Sequence, residues 1–118
     1  MRRARDCRDS LHDMIDYACK AEEFLCAKEL TDLMHDEMLL FAVTRALEVI
    51  GEAAKQVPES TKDKNPQVPW RSIAGMRDKI VHQYFGVDVE VLWRTVKEDL
   101  PQMRKALSIM LLEMDNGS

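Results

Sequence analysis

Five side chains that can take part in chemistry lie within eight positions of the segment GMRDKIVHQYFGVD: Arg77, Asp78, Lys79, His82 and Tyr84. An arginine can bind a phosphate through two parallel hydrogen bonds, and a histidine takes up or releases a proton near neutral pH. These are the parts that a metal-free phosphodiester-cleaving site needs. The histidine would move a proton at a ribose 2′-hydroxyl or at the leaving oxygen, while the arginine stabilises the charge that develops on the phosphate.

The spacing of the two main residues limits what one copy of the chain can do. If the segment is helical, Arg77 and His82 lie about 7.5 Å apart along the axis and about 140° apart around it. In one copy of the chain the two residues are then better placed on either side of a cleft than inside the same one. Two copies related by a twofold axis would bring two arginines and two histidines to one phosphate. Tyr84, seven positions after Arg77, lies on nearly the same face as the arginine. A simple helix end with caps and ion pairs fits the same residues, and both interpretations stay open.

Apolar residues that recur at spacings of three and four predict the elements that position this segment. They indicate an all-α fold, an up-and-down four-helix bundle with a kinked or interrupted last helix, in one domain over residues 1–118. The first three predicted helices cover residues 8–26, 36–56 and 70–84, and a short helical turn covers 60–64. Gly86 is predicted to end the third helix and Asp88 to cap the fourth. The fourth helix is predicted to bend or restart between Asp99 and Pro101.

The predicted second helix is apolar around most of its circumference, which favours burial on two sides. Its polar residues form one ribbon at spacings of three, four and three: Arg45, Glu48, Glu52 and Lys55. The ribbon is either a solvated face with internal ion pairs or the wall of a cleft, where the small Gly51 would permit close approach. The sequence does not decide between these two.

Composition restricts the partners and the compartment. With 17 Lys and Arg against 21 Asp and Glu, the net charge of −4 argues against a broad basic surface, so a polyanion must be met locally, around Arg77 and Lys79. No pattern of metal ligands or cofactor-binding glycines is visible, which predicts no metal and no cofactor. Three cysteines without a C-x-x-C pair, no signal peptide and no membrane-spanning run favour the cytoplasm.

Three blocks in order carry a resemblance to a known family. They are TRALEVIGEAAK at residues 44–55, VPWRSIAGMRDKIVHQYFGVD at 68–88 and VLWRTVKEDLP at 91–101, preceded by RDSLHDMIDYA at 8–18. With the Arg-x4-His-x-Tyr motif inside the second block, the chain resembles the HepT-like toxins of the HEPN superfamily. The similarity extends over most of the chain, whereas an isolated Arg-x4-His occurs by chance in many proteins.

The resemblance implies a function and partners. HepT-like proteins are dimeric four-helix bundles that act as metal-independent endoribonuclease toxins in type VII-like toxin–antitoxin pairs. Carried over, Arg77 and His82 are the catalytic pair at the dimer cleft and Asp78 is the polar residue that follows the arginine. Tyr84 is the hydroxyl that a cognate MntA-like nucleotidyltransferase antitoxin modifies with AMP. The family pattern includes Glu48 and Glu52 but implies no role for them.

Two other interpretations compete with this one. The chain is alternatively a non-catalytic helical partner or substrate-binding module of a nucleotidyltransferase, in which the segment around Arg77 and Tyr84 is only a docking site or a target. The third is a purely structural dimeric bundle. RNA that stays uncut by purified protein would argue against the endoribonuclease interpretation.

Overall fold

The computed structural model of the chain describes residues 7–82 and 86–116, and this part is mostly helical, which confirms the all-α class. The helices are α1 (Cys7–Phe24), α2 (Leu30–His35), α3 (Glu37–Gln56), α4 (Glu59–Lys64), α5 (Trp70–Ala74), α6 (Met76–Ile80), α7 (Val89–Arg94) and α8 (Leu100–Asn116), with a π-helical turn (Thr95–Asp99) joining α7 to α8. Two-residue strands, β1 (Val81–His82) and β2 (Gly86–Val87), complete the elements. Among the helices described, none is long and apolar enough to cross a membrane.

The core forms where α1 packs along both α3 and α8. One face of α1 is fully buried, as its three-and-four spacing predicts. Burying each large apolar side chain there stabilises the fold by about 1.5–3 kcal/mol relative to leaving it in water. The central buried residues are Leu11, Met14 and Ala18 of α1, Leu47 and Ile50 of α3, and Leu107 and Met110 of α8.

Helix α3 carries the charged ribbon and contacts several neighbours. Asp36 caps its start, because the carboxylate accepts a hydrogen bond of 3.1 Å from the backbone N–H of Leu39. The helix packs against α1 on one side and against α5 and α6 on another, so the prediction of burial on two sides is confirmed. A β-carbon at Gly51 would make ordinary contacts of 3.5 Å with the carbonyl oxygens of both Ile73 and Ala74, so a side chain much larger than alanine would meet the backbone of α5.

The prediction of one helix over residues 70–84 is wrong. Glycine has low helix propensity, and at Gly75 the backbone leaves helical geometry (φ −92°, ψ 5°), which separates α5 from α6. Helix α6 ends at Ile80, whose carbonyl accepts a hydrogen bond from the N–H of Asp88. The chain then enters a hairpin in which Val81 pairs with Val87.

Gly86 therefore has a different role from the predicted helix terminus. It lies in β2 opposite His82, with φ of +80°, a conformation that glycine adopts at little cost. The antiparallel pairing of β1 and β2 turns the chain back towards the start of α7. Glycine is thus required by the hairpin and not by the end of α6.

The last long helix continues through the predicted break. Asp88 is the predicted N-cap and accepts a hydrogen bond of 3.2 Å from the N–H of Val91. Pro101 cannot donate a hydrogen bond, and its ring crowds the carbonyl of the residue four positions earlier. The turn before Pro101 is accordingly wider, with the N–H of Leu100 bonded to the carbonyl of Thr95, five positions back. Asp99 closes this π-helical turn, so at the predicted position the helix widens and does not restart.

The segment between α1 and α3 contains one further short helix. Helix α2 begins at Leu30 and its N-cap is Glu29. Asp32 completes the cap from inside the helix by accepting a hydrogen bond of 2.7 Å from the N–H of Glu29. The predicted helical turn at residues 60–64 is confirmed as α4.

Candidate functional site

Arg77 is fixed against the charged ribbon of α3. Its Nε donates a hydrogen bond of 2.8 Å to Oε2 of Glu48. The carboxylate is 25% exposed and the guanidinium side chain 52% exposed, so the pair lies at the protein surface. Within the described part of the chain, the other guanidinium nitrogens of Arg77 make no hydrogen bond, which leaves them available to a phosphate oxygen.

Glu48 also faces a second arginine. Nη1 of Arg45 lies 3.7 Å from Oε1 of Glu48 and 3.9 Å from Oε2 of Glu52. The ribbon therefore contains internal ion pairs, as one of the two interpretations predicts, and its Glu48 also accepts a hydrogen bond from Arg77. Lys55, the fourth ribbon residue, is exposed.

The electrostatics of this cluster keep Arg77 charged. Its pKa is raised above the ordinary arginine value, mainly by the hydrogen bond and the charge of Glu48, with smaller contributions from Asp78 and Glu52. The formal charges of Arg45 and Arg77 are balanced by those of Glu48 and Glu52. A phosphate that binds Arg77 must therefore do so beside a carboxylate, without support from a broad positive surface.

Asp78 and Lys79, which follow Arg77 in α6, have different surroundings. Asp78 is exposed beside the arginine. Lys79 instead lines a cavity between α5, α6 and α8. Two helical positions correspond to a rotation of about 200°, so Arg77 and Lys79 face opposite sides of α6. The expectation of one local pocket around both residues is wrong.

The remaining motif residues follow α6. The backbone of His82 is paired with Gly86 in the hairpin, and the structure does not describe its side chain. Tyr84 lies outside the described residues. Since α6 ends at Ile80, the helical separation calculated for Arg77 and His82 does not apply, and His82 leaves the helix on an extended backbone.

Glu48 is the residue whose role the sequence did not reveal. It lies 29 positions before Arg77, so no local spacing rule links the two. The available signal was weak: Glu48 interrupts an apolar helix and is opposite in charge to the arginine. Among the described residues, no group of three or more His, Cys, Asp or Glu side chains is arranged to hold a metal ion.

Comparison with known proteins places the chain among its relatives. A family model described as "Ribonuclease HepT-like" matches residues 14–110. A protein of Thermococcus cleftensis named "Probable ribonuclease HepT" is 48% identical over 100 residues, which cover 85% of this chain and 91% of the relative. A "Putative RNase" of Methanocaldococcus jannaschii is 36% identical over 111 residues, covering 94% and 92%.

A bacterial relative extends this comparison. A "Putative RNase" of Caldanaerobacter subterraneus is 42% identical over 80 residues, which cover 68% of this chain and 71% of the relative. No solved structure gives a significant match. Since the family model spans most of the sequence and includes the Arg77 and His82 motif, the chain belongs to the HepT-like ribonuclease family of the HEPN superfamily.

Proposed function

We propose that the protein is an endoribonuclease toxin in which Arg77 and His82 act on an RNA phosphodiester. The observation that carries the proposal is the Arg77 guanidinium, held by Glu48 and yet half exposed at the start of the family motif. It supplies a fixed positive charge for the phosphate. His82 supplies the proton transfer, and Asp78 is a supporting polar residue.

The reaction that these groups support is internal transesterification. The ribose 2′-oxygen forms a bond to phosphorus as its proton passes to a base, and the bond from phosphorus to the 5′-oxygen breaks as that oxygen gains a proton. A histidine serves either transfer, depending on its protonation state. Arg77 stabilises the additional negative charge on the phosphate oxygens. The products would carry a 2′,3′-cyclic phosphate and a 5′-hydroxyl, and no metal or cofactor is required.

A homodimer would complete the site, because one chain provides one arginine and one histidine of the motif. Support comes from the outer face of α3, where Met38 is 83% and Phe41 61% exposed. Met38, Phe41, Arg45 and Glu48 follow spacings of three, four and three, so the apolar surface continues directly into the charged cluster. A second copy that covers Met38 and Phe41 would bring its own motif close to the first. In this arrangement each protomer is an up-and-down four-helix bundle in which α5 and α6 together count as one of the four helices.

Regulation by AMP transfer is the second part of the proposal. A cognate MntA-like nucleotidyltransferase would act as the antitoxin of a type VII-like pair by modifying the hydroxyl of Tyr84. The tyrosine lies two positions after His82, so added phosphates would compete with RNA for Arg77 and repel the RNA backbone. Both proteins would act in the cytoplasm, where the RNA is.

A non-catalytic binding module is the second candidate function. The pairing of Arg77 with Glu48 favours it, because that carboxylate already occupies part of the guanidinium. Incubation of purified protein with single-stranded RNA in a chelating buffer separates the two. Cleavage that leaves cyclic phosphate ends supports the ribonuclease function. RNA that stays intact both in the chelating buffer and in buffers with divalent ions supports the binding module. Cleavage that requires a divalent ion would contradict metal independence.

A further inference from the structure

We infer that the cavity between α5, α6 and α8 binds a nucleobase, and so forms a base-recognition subsite beside the proposed cleavage site. This cavity has a volume of about 470 Å³, within the range of roughly 300–1,000 Å³ that is typical of small-molecule sites. The inference rests on the proposed function in one respect only, which is that the base belongs to bound RNA.

The walls of the cavity have the chemistry that a flat heterocyclic ring needs. The inner surface is formed by buried apolar side chains, namely Ile73, Met76, Leu100 and Met103. Unbranched methionine side chains adapt to a ring face and make favourable contacts with aromatic groups. An unstacked base buries its faces against such walls, and this compensates for the stacking that it loses.

The rim of the cavity has the groups that read the edge of a base. Gln67, Lys79, Asp99 and Gln102 are all exposed and line the opening. Amides offer both donors and acceptors, while a carboxylate accepts hydrogen bonds from amino and ring N–H groups. Within the described part of the chain, Lys79 and Asp99 have no ion-pair partner, so neither must give up a partner to contact a ligand.

The position of the cavity links it to Arg77 without merging the two. Helix α6 presents Arg77 towards α3 and Lys79 towards the cavity, on opposite sides of a helix five residues long. A base in the cavity therefore belongs to a nucleotide near the one whose phosphate contacts Arg77, not to that nucleotide itself. Such a contact would make cleavage depend on the base at one neighbouring position.

The test uses the four nucleoside monophosphates as probes and ribose 5-phosphate as the matched probe without a base. Binding to the full chain is measured by calorimetry and by NMR chemical shifts. We expect at least one nucleotide to bind with a dissociation constant of about 1 mM or lower, and ribose 5-phosphate to bind about tenfold more weakly. Equal binding of ribose 5-phosphate, or no nucleotide binding up to about 10 mM, would overturn the inference.

Two variants locate the site. Ala106 lines the cavity, so Ala106→Phe fills it, whereas Ser108→Phe adds the same ring to the exposed side of α8. We expect Ala106→Phe to weaken nucleotide binding by about tenfold or more and Ser108→Phe to leave it unchanged. If Ala106→Phe does not fold, Asp99→Asn and Gln102→Ala at the exposed rim replace it and should change which base binds. Binding that none of these changes alters would contradict the assignment.

The outcome does not depend on cleavage. Nucleotide binding and RNA cleavage are therefore measured separately on the wild-type chain. A wild-type protein that binds a nucleotide but does not cleave RNA would support the subsite and refute the proposed function, whereas a wild-type protein that cleaves RNA but binds no nucleotide would refute the subsite alone.

Discussion

Nε of Arg77 and Oε2 of Glu48 lie 2.8 Å apart and join helix α6 to helix α3 across 29 positions of sequence. The bond fixes the side chain of a motif residue that is otherwise half exposed and free to adopt many rotamers. Ordering a long side chain before the ligand arrives lowers the entropic cost of using it. We therefore expect Glu48 to act as a positioning residue for Arg77.

Substitutions at Glu48 should distinguish its role in orienting Arg77 from the effect of its negative charge. Glu48→Ala removes the acceptor for Nε of Arg77, and we expect RNA cleavage to fall by about 100-fold, as for a misplaced catalytic group. Glu48→Gln keeps a carbonyl acceptor and should retain most of the activity. Glu52→Gln is the control, because Glu52 contacts Arg45 but not Arg77. If cleavage rates are equal in Glu48→Ala and wild type, Glu48 does not position Arg77.

The exposed apolar end of α3 should control dimerisation. Phe41→Glu places a charge in the surface formed by Met38 and Phe41, where a second copy would have to desolvate it. We expect a monomer in light scattering after gel filtration, together with loss of cleavage. Ile109→Glu is the matched control, since Ile109 is 49% exposed on α8, away from the charged cluster. A dimer that survives Phe41→Glu would show that the interface lies elsewhere.

AMP transfer should depend on one tyrosine. The chain has two, Tyr17 and Tyr84, so each can serve as the control for the other. When the protein is co-expressed with a neighbouring nucleotidyltransferase, intact mass should show additions of AMP in wild type and Tyr17→Phe but not in Tyr84→Phe. Additions that persist in Tyr84→Phe would assign the modification to another residue.

The contact between α3 and α5 should tolerate only a small side chain at Gly51. A β-carbon there would make ordinary contacts of 3.5 Å, and alanine is the better helix former, so Gly51→Ala should raise the free energy of unfolding by up to about 1 kcal/mol. Gly51→Leu overpacks the contact and should lower it by about 1–3 kcal/mol. Urea denaturation measures both variants. An unchanged stability in Gly51→Leu would mean that α5 moves away freely.

Local signals in the sequence were sufficient for the long helices and for several of their ends. The three-and-four spacing of apolar residues located α1 and α3, and Asp88 was recognisable as a cap because aspartate is a favoured N-cap residue. In the structure its side chain accepts the expected hydrogen bond from a backbone N–H three positions later. The Arg-x4-His-x-Tyr motif was likewise sufficient to single out Arg77. These features depend on residues that are neighbours in sequence.

Features that depend on competition between conformations, or on distant residues, were not predictable. The apolar pattern of residues 70–84 continues through Gly75 and Val81, yet the backbone breaks at the first and enters a hairpin at the second. At Pro101 the helix continues through a wider turn that packs against α1, which is distant in sequence, so the local pattern did not distinguish this turn from a break. The partner of Arg77 is a long-range contact, which no spacing rule contains.

The most direct test of the account is cleavage of single-stranded RNA by purified wild type, Arg77→Ala, His82→Ala and Arg71→Ala. Arg71 is an exposed arginine of α5 and controls for general loss of positive charge. With folding verified by circular dichroism, the first two variants should lose cleavage by at least about 100-fold, and Arg71→Ala should cleave nearly as wild type does. Retained cleavage by well-folded His82→Ala or Arg77→Ala would contradict the assignment of the catalytic pair.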